Sequence, residues 1–107
     1  MEARRVSFTI GVTYQTPLEQ LKKIPILVKG IIEPFDHVDF SRVHFKEFGQ
    51  FSLNFEIVYT VKSPDYAKYL DTQQAINFAI LETFEKEHIE LAYPTQTIFL
   101  NETKRNS

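Results

Sequence analysis

Cysteine and tryptophan are both absent from this 107-residue sequence, which also contains only three glycines. Without cysteine the chain has no disulfide framework, no thiolate nucleophile and no thiolate metal ligand, which is typical of proteins from a reducing compartment. Three glycines are few for the loops that cradle phosphates, and no phosphate-loop, dinucleotide or nucleophile-elbow motif is found. The commonest nucleotide-binding and hydrolase classes are therefore disfavoured.

A strong net charge and long apolar runs are also missing. The net charge is -2, so the chain has no basic field that would attract nucleic acid. The longest apolar stretches fall far short of the roughly eighteen residues of a membrane span. The first residues lack the continuous apolar core of a signal peptide. We therefore expect no nucleic-acid partner and no membrane-spanning segment within this chain.

The residues that are present are typical of a globular domain. Apolar residues make up 43% and charged residues 24% of the sequence, a balance that argues against intrinsic disorder. The length suits one hydrophobic core. We predict a single α+β domain over residues 1–107, with an ordered core from about residue 4 to residue 100 and a polar tail over residues 101–107.

Alternating apolar residues predict three β-strands before residue 62. Gly49 and Gln50 separate the second strand from the third, which predicts a β-hairpin. Gly11 interrupts the first strand, as is typical of a bulge or of another backbone that approaches closely. The three runs cover residues 4–14, 43–47 and 51–61.

Two segments have apolar residues at helical spacing, and each follows a proline-containing start. Thr16-Pro17-Leu18-Glu19 has the pattern of a capping box, with Thr16 as the cap. Pro25 lies inside this first helix, where proline costs roughly 3 kcal/mol, so we expect a kink or break near Ile24. Ser63-Pro64-Asp65 repeats the pattern before a second helix that ends near His88. Its predicted helical stripe is Leu70, Gln73, Ile76, Ile80, Leu81 and Phe84.

A β-rich run over residues 95–100 follows Pro94 and predicts a closing strand. The predicted order is therefore strand, helix, strand, strand, helix, strand. This is the ferredoxin-like split βαβ arrangement (βαββαβ), in which two helices cover one face of a mainly antiparallel sheet. The fold by itself does not define a function.

No cluster of reactive side chains has the spacing of a known site. His37, His44 and His88 have no partner at metal-ligand spacing, and Asp36-His37-Val38-Asp39 is typical of a turn-forming acidic loop. Glutamates surround Lys86 near the end of the second helix, where a solvated helix face explains them better than an acid–base pair does. We therefore expect no catalytic residue, no metal site and no cofactor.

One strand motif leaves an alternative function open. Residues 46–55 loosely resemble the aromatic strand motif of RNA-recognition domains, which share the same order of elements. The match needs an inserted residue after Gly49, and the chain lacks the usual basic rim. A stand-alone ferredoxin-like domain that binds a small ligand or RNA is therefore the alternative.

Several segments, taken in order, resemble the C-terminal domain of the small-conductance mechanosensitive channel family, and the resemblance covers nearly the whole chain. Two departures are Pro25, inside the first helix, and Ala92, where the family usually has a proline. The similar segments are Arg4-Arg5, Ile10-Gly11-Val12-Thr13-Tyr14, Thr16-Pro17-Leu18-Glu19-Gln20-Leu21, Val43-His44-Phe45-Lys46-Glu47-Phe48-Gly49, Ser52-Leu53-Asn54-Phe55, residues 84–89 and Tyr93-Pro94.

The resemblance implies that the full-length protein is an inner-membrane channel opened by membrane tension. This domain would lie on the cytoplasmic side of a heptameric ring, and the transmembrane segments would lie outside this chain. The expected function is that of an assembly and vestibule domain of the oligomeric cage through which solutes reach the pore. The resemblance also implies that the closing strands of the subunits associate around the axis. That strand would be carried by Pro94, Thr95, Gln96, Thr97, Ile98, Phe99 and Leu100.

Overall fold

The computed structural model describes residues 3–92, which form two helices and a three-stranded antiparallel sheet. The strand order is β1-β3-β2, so β3 is central. The predicted α+β class is confirmed, and the predicted closing strand lies outside the described residues. The elements are β1 (Arg4–Val12), α1 (Leu18–Ile32), β2 (Val38–Phe48), β3 (Leu53–Val61) and α2 (Tyr66–Lys86). Within residues 3–92, neither helix is apolar enough over a sufficient length to cross a membrane.

The core lies between the two helices and one face of the sheet. β1 and β3 pair without interruption from Arg4↔Val61 to Val12↔Leu53. Because successive side chains of a strand point to opposite faces, this register places the even-numbered residues of β1 beside the odd-numbered residues of β3. The buried cluster includes Val6, Val12, Ile24, Val28, Ile32, Leu53, Phe55, Ile57, Tyr59, Val61, Ile76, Ile80 and Phe84. We call the opposite side of the sheet the open face.

The predicted hairpin of β2 and β3 is confirmed, but β2 begins at Val38 and is longer than predicted. Its register shifts twice, between Phe40 and Arg42 and between Phe45 and Glu47. At each register shift, the residues of β2 that face the helices change from even-numbered to odd-numbered positions or back again. The simple two-residue alternation is therefore lost along β2, which explains why its start was missed.

α1 is continuous from Leu18 to Ile32, so the expected break at Pro25 does not occur. Proline costs about 3 kcal/mol in a helix interior, because it removes one backbone donor and crowds the preceding turn. Ile24, Val28 and Ile32 are all 0% exposed, and burial of such side chains stabilises by about 1.5–3 kcal/mol each. Packing of this face therefore outweighs the local cost of Pro25.

Both predicted helix caps are wrong by one or two residues. The N-cap of α1 is Pro17, which makes no side-chain capping bond. The Thr16 hydroxyl instead donates to the Thr13 carbonyl oxygen at 2.7 Å. In α2 the N-cap is Asp65, whose carboxylate accepts a hydrogen bond from the Ala67 amide at 3.0 Å. Short polar side chains have several backbone partners within reach, so the pattern alone does not select among them.

The buried face of α2 differs in part from the predicted stripe. Its buried residues are Thr72, Ile76, Ile80 and Phe84, which follow one another at intervals of four. Leu70 and Leu81 were placed in the stripe but are 46% and 50% exposed. Thr72 is buried because its hydroxyl has two partners, the Lys68 carbonyl oxygen and the His37 ring, each at 2.7 Å.

A left-handed residue ends α2 and turns the chain back towards β1. His88 has a φ of 61°, a conformation that is usual for glycine at this place. The Ile89 amide donates to the Phe84 carbonyl oxygen at 2.8 Å, and the His88 amide donates to that of Glu85 at 3.2 Å. These two bonds define a Schellman motif, in which Ile89 is buried close to the last turn of the helix.

Candidate assembly surface

The predicted association segment, residues 94–100, lies outside the described residues, and its contacts with other copies remain a prediction. The residues that precede this segment are described as far as Ala92. Leu91 forms an isolated antiparallel bridge with Val12, at the end of β1. This contact is on the edge of β1 that faces away from β3, which we call the outer edge.

Two backbone hydrogen bonds flank this bridge. The Thr13 amide donates to the Glu90 carbonyl oxygen at 3.1 Å, and the Ala92 amide donates to the Gly11 carbonyl oxygen at 2.9 Å. In an antiparallel ladder, this arrangement makes Val12 and Leu91 a non-hydrogen-bonded pair, whose side chains lie on the same face. Residues 90–92 therefore lie antiparallel beside the end of β1.

An apolar groove of about 190 Å³ adjoins the bridge on the helix side of the sheet. It lies between β1 and α2, and Leu81 on its wall is 50% exposed. The lining residues are Ile10, Asn77, Ile80, Leu81 and Leu91. Sequence reasoning missed this groove because its walls are more than sixty residues apart in the chain and meet only when α2 packs on β1.

The open face of the sheet is polar and carries a small charge cluster around Glu56. Its carboxylate accepts from Arg42 Nη1 at 3.0 Å and from the Ser7 hydroxyl at 3.2 Å, and Lys46 Nζ lies at 3.7 Å. The hydrogen bond from Arg42 is the largest cause that lowers the pKa of Glu56 below its usual value of 4.5, against the opposing effect of burial.

This cluster predicts a contribution to acid stability. A carboxylate whose folded pKa is lowered stabilises the fold above its unfolded pKa, and that stability is lost as the pH falls through the folded value. Glu56→Gln is therefore expected to flatten the fall in unfolding free energy below about pH 4.5. Urea unfolding at a series of pH values measures how steeply the unfolding free energy changes with pH. The control is Glu82→Gln, at an exposed position of α2. Equal slopes for the two variants would contradict this account.

Within the motif that favoured RNA binding, Phe55 faces the core, whereas Phe48 and Phe51 are 76% and 42% exposed. Phe55 is 1% and Leu53 is 4% exposed, and both pack under the helices. RNA-recognition domains stack bases on aromatic side chains of an accessible sheet surface. The open face here carries Arg42, His44 and Glu56 along β2 and β3 instead. The orientation of Phe55 therefore argues against base stacking on β3, and the exposed aromatic residues of the motif lie at the hairpin end of the sheet.

His37, in the loop between α1 and β2, contacts Thr72 of α2. His37 Nε2 lies 2.7 Å from Thr72 Oγ1, and Nδ1 lies 3.2 Å from Asp36 Oδ1. The hydrogen bond with His37 lowers the pKa of Asp36. His37 and Thr72 also line a groove of about 440 Å³, together with Lys68 and Asp71. Among residues 3–92, no three His, Cys, Asp or Glu side chains form a group that could hold a metal ion.

Two glutamates near the end of the second helix are in ion pairs at the surface. Glu82 is 3.6 Å from Lys86 on the same helix, and Glu87 is 3.8 Å from Lys23 of α1. Exposed pairs of this kind contribute about 0–1 kcal/mol. Their arrangement is that of a solvated surface.

The sequence pattern also missed an aromatic contact at the other end of β1. The Arg4 guanidinium carbon lies 5.3 Å from the ring centre of Tyr66 and 5.6 Å from that of Tyr69. Both distances are typical of cation–π contacts. Arg4 Nε is buried and has no hydrogen-bond partner within the described part of the chain. The contact joins residues more than sixty positions apart, so no local sequence pattern predicts it.

Comparison with known proteins identifies a domain of an ion-channel family. Residues 6–91 match the family described as "Mechanosensitive ion channel MscS, C-terminal". The chain belongs to this family, and the resemblance found in the sequence is confirmed.

Two curated relatives come from Methanocaldococcus jannaschii. The small-conductance mechanosensitive channel MscMJ is 43% identical over 100 residues, which cover 92% of this chain and 29% of the relative. The large-conductance mechanosensitive channel MscMJLR is 42% identical over 101 residues, which cover 90% of this chain and 28% of the relative. The chain thus spans less than a third of the length of either protein.

A solved structure supports the fold assignment. The chain resembles the closed-state crystal structure of Helicobacter pylori MscS with a TM-score of 0.62 and 22% sequence identity. The match covers 87% of this chain and 36% of that chain. At this level of identity the likeness concerns the fold alone.

Proposed function

We propose that this chain is the assembly and vestibule domain of a mechanosensitive channel, on the cytoplasmic side of an inner-membrane protein. The observation that carries the proposal is the family match over residues 6–91. In the complete protein, seven copies of the domain would form the walls of a cage through which solutes reach the pore. Tension sensing would belong to parts of the protein outside this chain.

The assembly role is assigned to residues 94–100. Support comes from the direction of the chain at Leu91 and Ala92, which lie along the outer edge of β1 and continue into this segment. A strand with unpaired backbone groups is a template for pairing between chains. Residues 95–100 also contain threonine, isoleucine and phenylalanine, which are common in β-strands.

Truncation tests this role. A chain that ends at Ala92 is expected to sediment with a lower mass than the full chain, because it lacks the pairing strand. Its helices are expected to persist in circular dichroism, since the described core ends at Leu91. The control is a chain that ends at Leu100 and loses only the polar residues 101–107. An unchanged mass after truncation at Ala92 would refute the assignment.

A further inference from the structure

We propose that the groove between α1 and β2 receives the outer face of α2 from a second copy of this chain, so that neighbouring copies contact head to tail. An exposed apolar residue lies at the centre of each surface, Ile26 in the groove and Phe78 on α2. Only the closure of such contacts into a ring rests on the proposed assembly function. The contact does not involve residues 94–100, so the two assignments are tested separately.

The groove between α1 and β2 has an apolar centre and a basic rim. Its volume is about 310 Å³, and Ile26 on its wall is 71% exposed beside Pro25 and Val43. The charged residues that line it are the cations Lys29 and Arg42, and among the described residues no carboxylate does so. This is unusual in a chain whose net charge is -2, and it favours an acidic occupant with an apolar residue of its own.

The exposed side of α1 extends the basic rim. Lys22 lies four residues before Ile26 and Lys29 lies three residues after it, and positions at this spacing are neighbours on one helix face. Both lysines are exposed. Lys29 Nζ is 3.8 Å from a Glu33 carboxylate oxygen, but an exposed pair of this kind is weak and leaves the lysine able to change partner.

The outer face of α2 has the opposite charge around Phe78, which is 63% exposed. Asp71 lies seven residues before Phe78, and Glu82 and Glu85 lie four and seven residues after it, so all of them share one side of the helix. The three carboxylates are exposed, and Glu82 has a single weak partner in Lys86 at 3.6 Å. An exposed aromatic residue bordered by charges is typical of the centre of a protein–protein interface.

The two surfaces lie on opposite sides of the molecule. α1 packs against β2, whereas α2 packs against β1, and these are the two outer strands of the sheet. A contact between two different surfaces leaves one surface of each kind unused at the ends of a dimer, so the contact repeats until a ring closes. A contact between two identical surfaces would instead bring like charges together. The charges therefore favour the head-to-tail arrangement.

The absence of cysteine from the 107-residue chain allows a cross-linking test. Ile26→Cys and Phe78→Cys each place one thiol at the centre of one surface, where exposure allows the fold to be retained. A short thiol-specific cross-linker is expected to join the two variants when they are mixed, and to leave each variant alone as a monomer on a denaturing gel. High salt is expected to reduce the yield, because it screens the charges. Leu18→Cys, at a 64% exposed position of α1 outside the groove, is the matched control and is expected to give no linked product with Phe78→Cys.

The outcomes separate this contact from the proposed function. Linking of Ile26→Cys to itself would indicate a contact between identical surfaces and would overturn the proposal. An unlinked mixture, while sedimentation shows the unchanged chain to be oligomeric, would refute this contact and leave the assembly function in place. An unlinked mixture of a monomeric chain would refute both. Linking of the mixture, together with an unchanged sedimenting mass after truncation at Ala92, would support this contact and refute the role of residues 94–100.

Discussion

Replacement of Phe84 by alanine is expected to lower the free energy of unfolding by about 3–5 kcal/mol. Phe84 is 1% exposed and belongs to the central core cluster. The substitution leaves a cavity that the helices and the sheet can only partly close. Domains of this size are stable by about 5–15 kcal/mol in total, so this one change would remove a large share of that stability.

Phe78 offers a matched control on the same helix. It is 63% exposed, so Phe78→Ala removes the same side chain from a solvated position. Its effect is expected to stay within about 0.5 kcal/mol. Urea unfolding of both variants, followed by circular dichroism, gives the comparison. Similar losses for the two variants would mean that α2 packs through a different face from the one described.

The strands with one buried face were predictable, and β2 shows why prediction fails when the register shifts. On the helix side of the sheet β2 places Val38 and Phe40, then Val43 and Phe45, then Phe48, and all of them pair with odd-numbered residues of β3, although Phe45 and Phe48 are exposed. These positions change from even to odd numbers and then back to even numbers because the register shifts twice. A search for strict alternation finds only the middle pair, so the strand was predicted shorter than it is.

The errors at the helix starts and at Pro25 have a different origin. A cap is chosen among several hydrogen bonds of similar strength within a few residues, and the three-dimensional path of the chain decides which one forms. The cost of Pro25 is local, whereas the burial of Ile24 and Val28 that offsets it depends on β2 and α2, the elements that contact α1, being in place. Rules based on neighbouring residues capture the cost of the proline, but they do not capture the burial that offsets this cost.

The candidate site was reached mainly by resemblance, because its features are not local. Residues 94–100 were assigned from the likeness to the channel family and not from any spacing of their own. The groove beside them is built from residues 10, 77, 80, 81 and 91. No window of the sequence contains both walls, so the groove becomes visible only in the folded chain.

The two glycines that lie within β1 and α1 are expected to respond to alanine with opposite signs. A Cβ atom at Gly11 would lie 2.7 Å from Ser52 Oγ and 2.9 Å from Ser52 Cβ. The Ser52 hydroxyl donates to Asn54 Oδ1 at 2.6 Å, so moving it away breaks a hydrogen bond. β1 pairs with β3 without a bulge here. The glycine is therefore required by the close approach of the Ser52 side chain, and not by a bulge or by the approaching backbone that the sequence predicted.

Gly11→Ala is expected to lower the free energy of unfolding by about 1–3 kcal/mol, the usual range for an overpacked site. Gly30 has nothing within 4 Å of its ideal Cβ position and lies inside α1. Gly30→Ala is therefore expected to raise the unfolding free energy by about 0.5–1 kcal/mol, because alanine restricts the unfolded chain and favours the helix. Urea unfolding measures both changes, and shifts of the same sign would contradict the described surroundings of Gly11.

The Gly11 substitution also links stability to assembly. Its carbonyl oxygen accepts the hydrogen bond from the Ala92 amide, the last such bond described before the association segment. A backbone displaced by an added methyl group weakens this bond, so the segment loses its fixed starting point beside β1. Gly11→Ala is therefore expected to reduce the sedimenting mass at a given protein concentration, whereas Gly30→Ala leaves it unchanged. If both variants assemble like the unchanged chain while Gly11→Ala is destabilised, the segment is positioned by contacts other than the edge of β1.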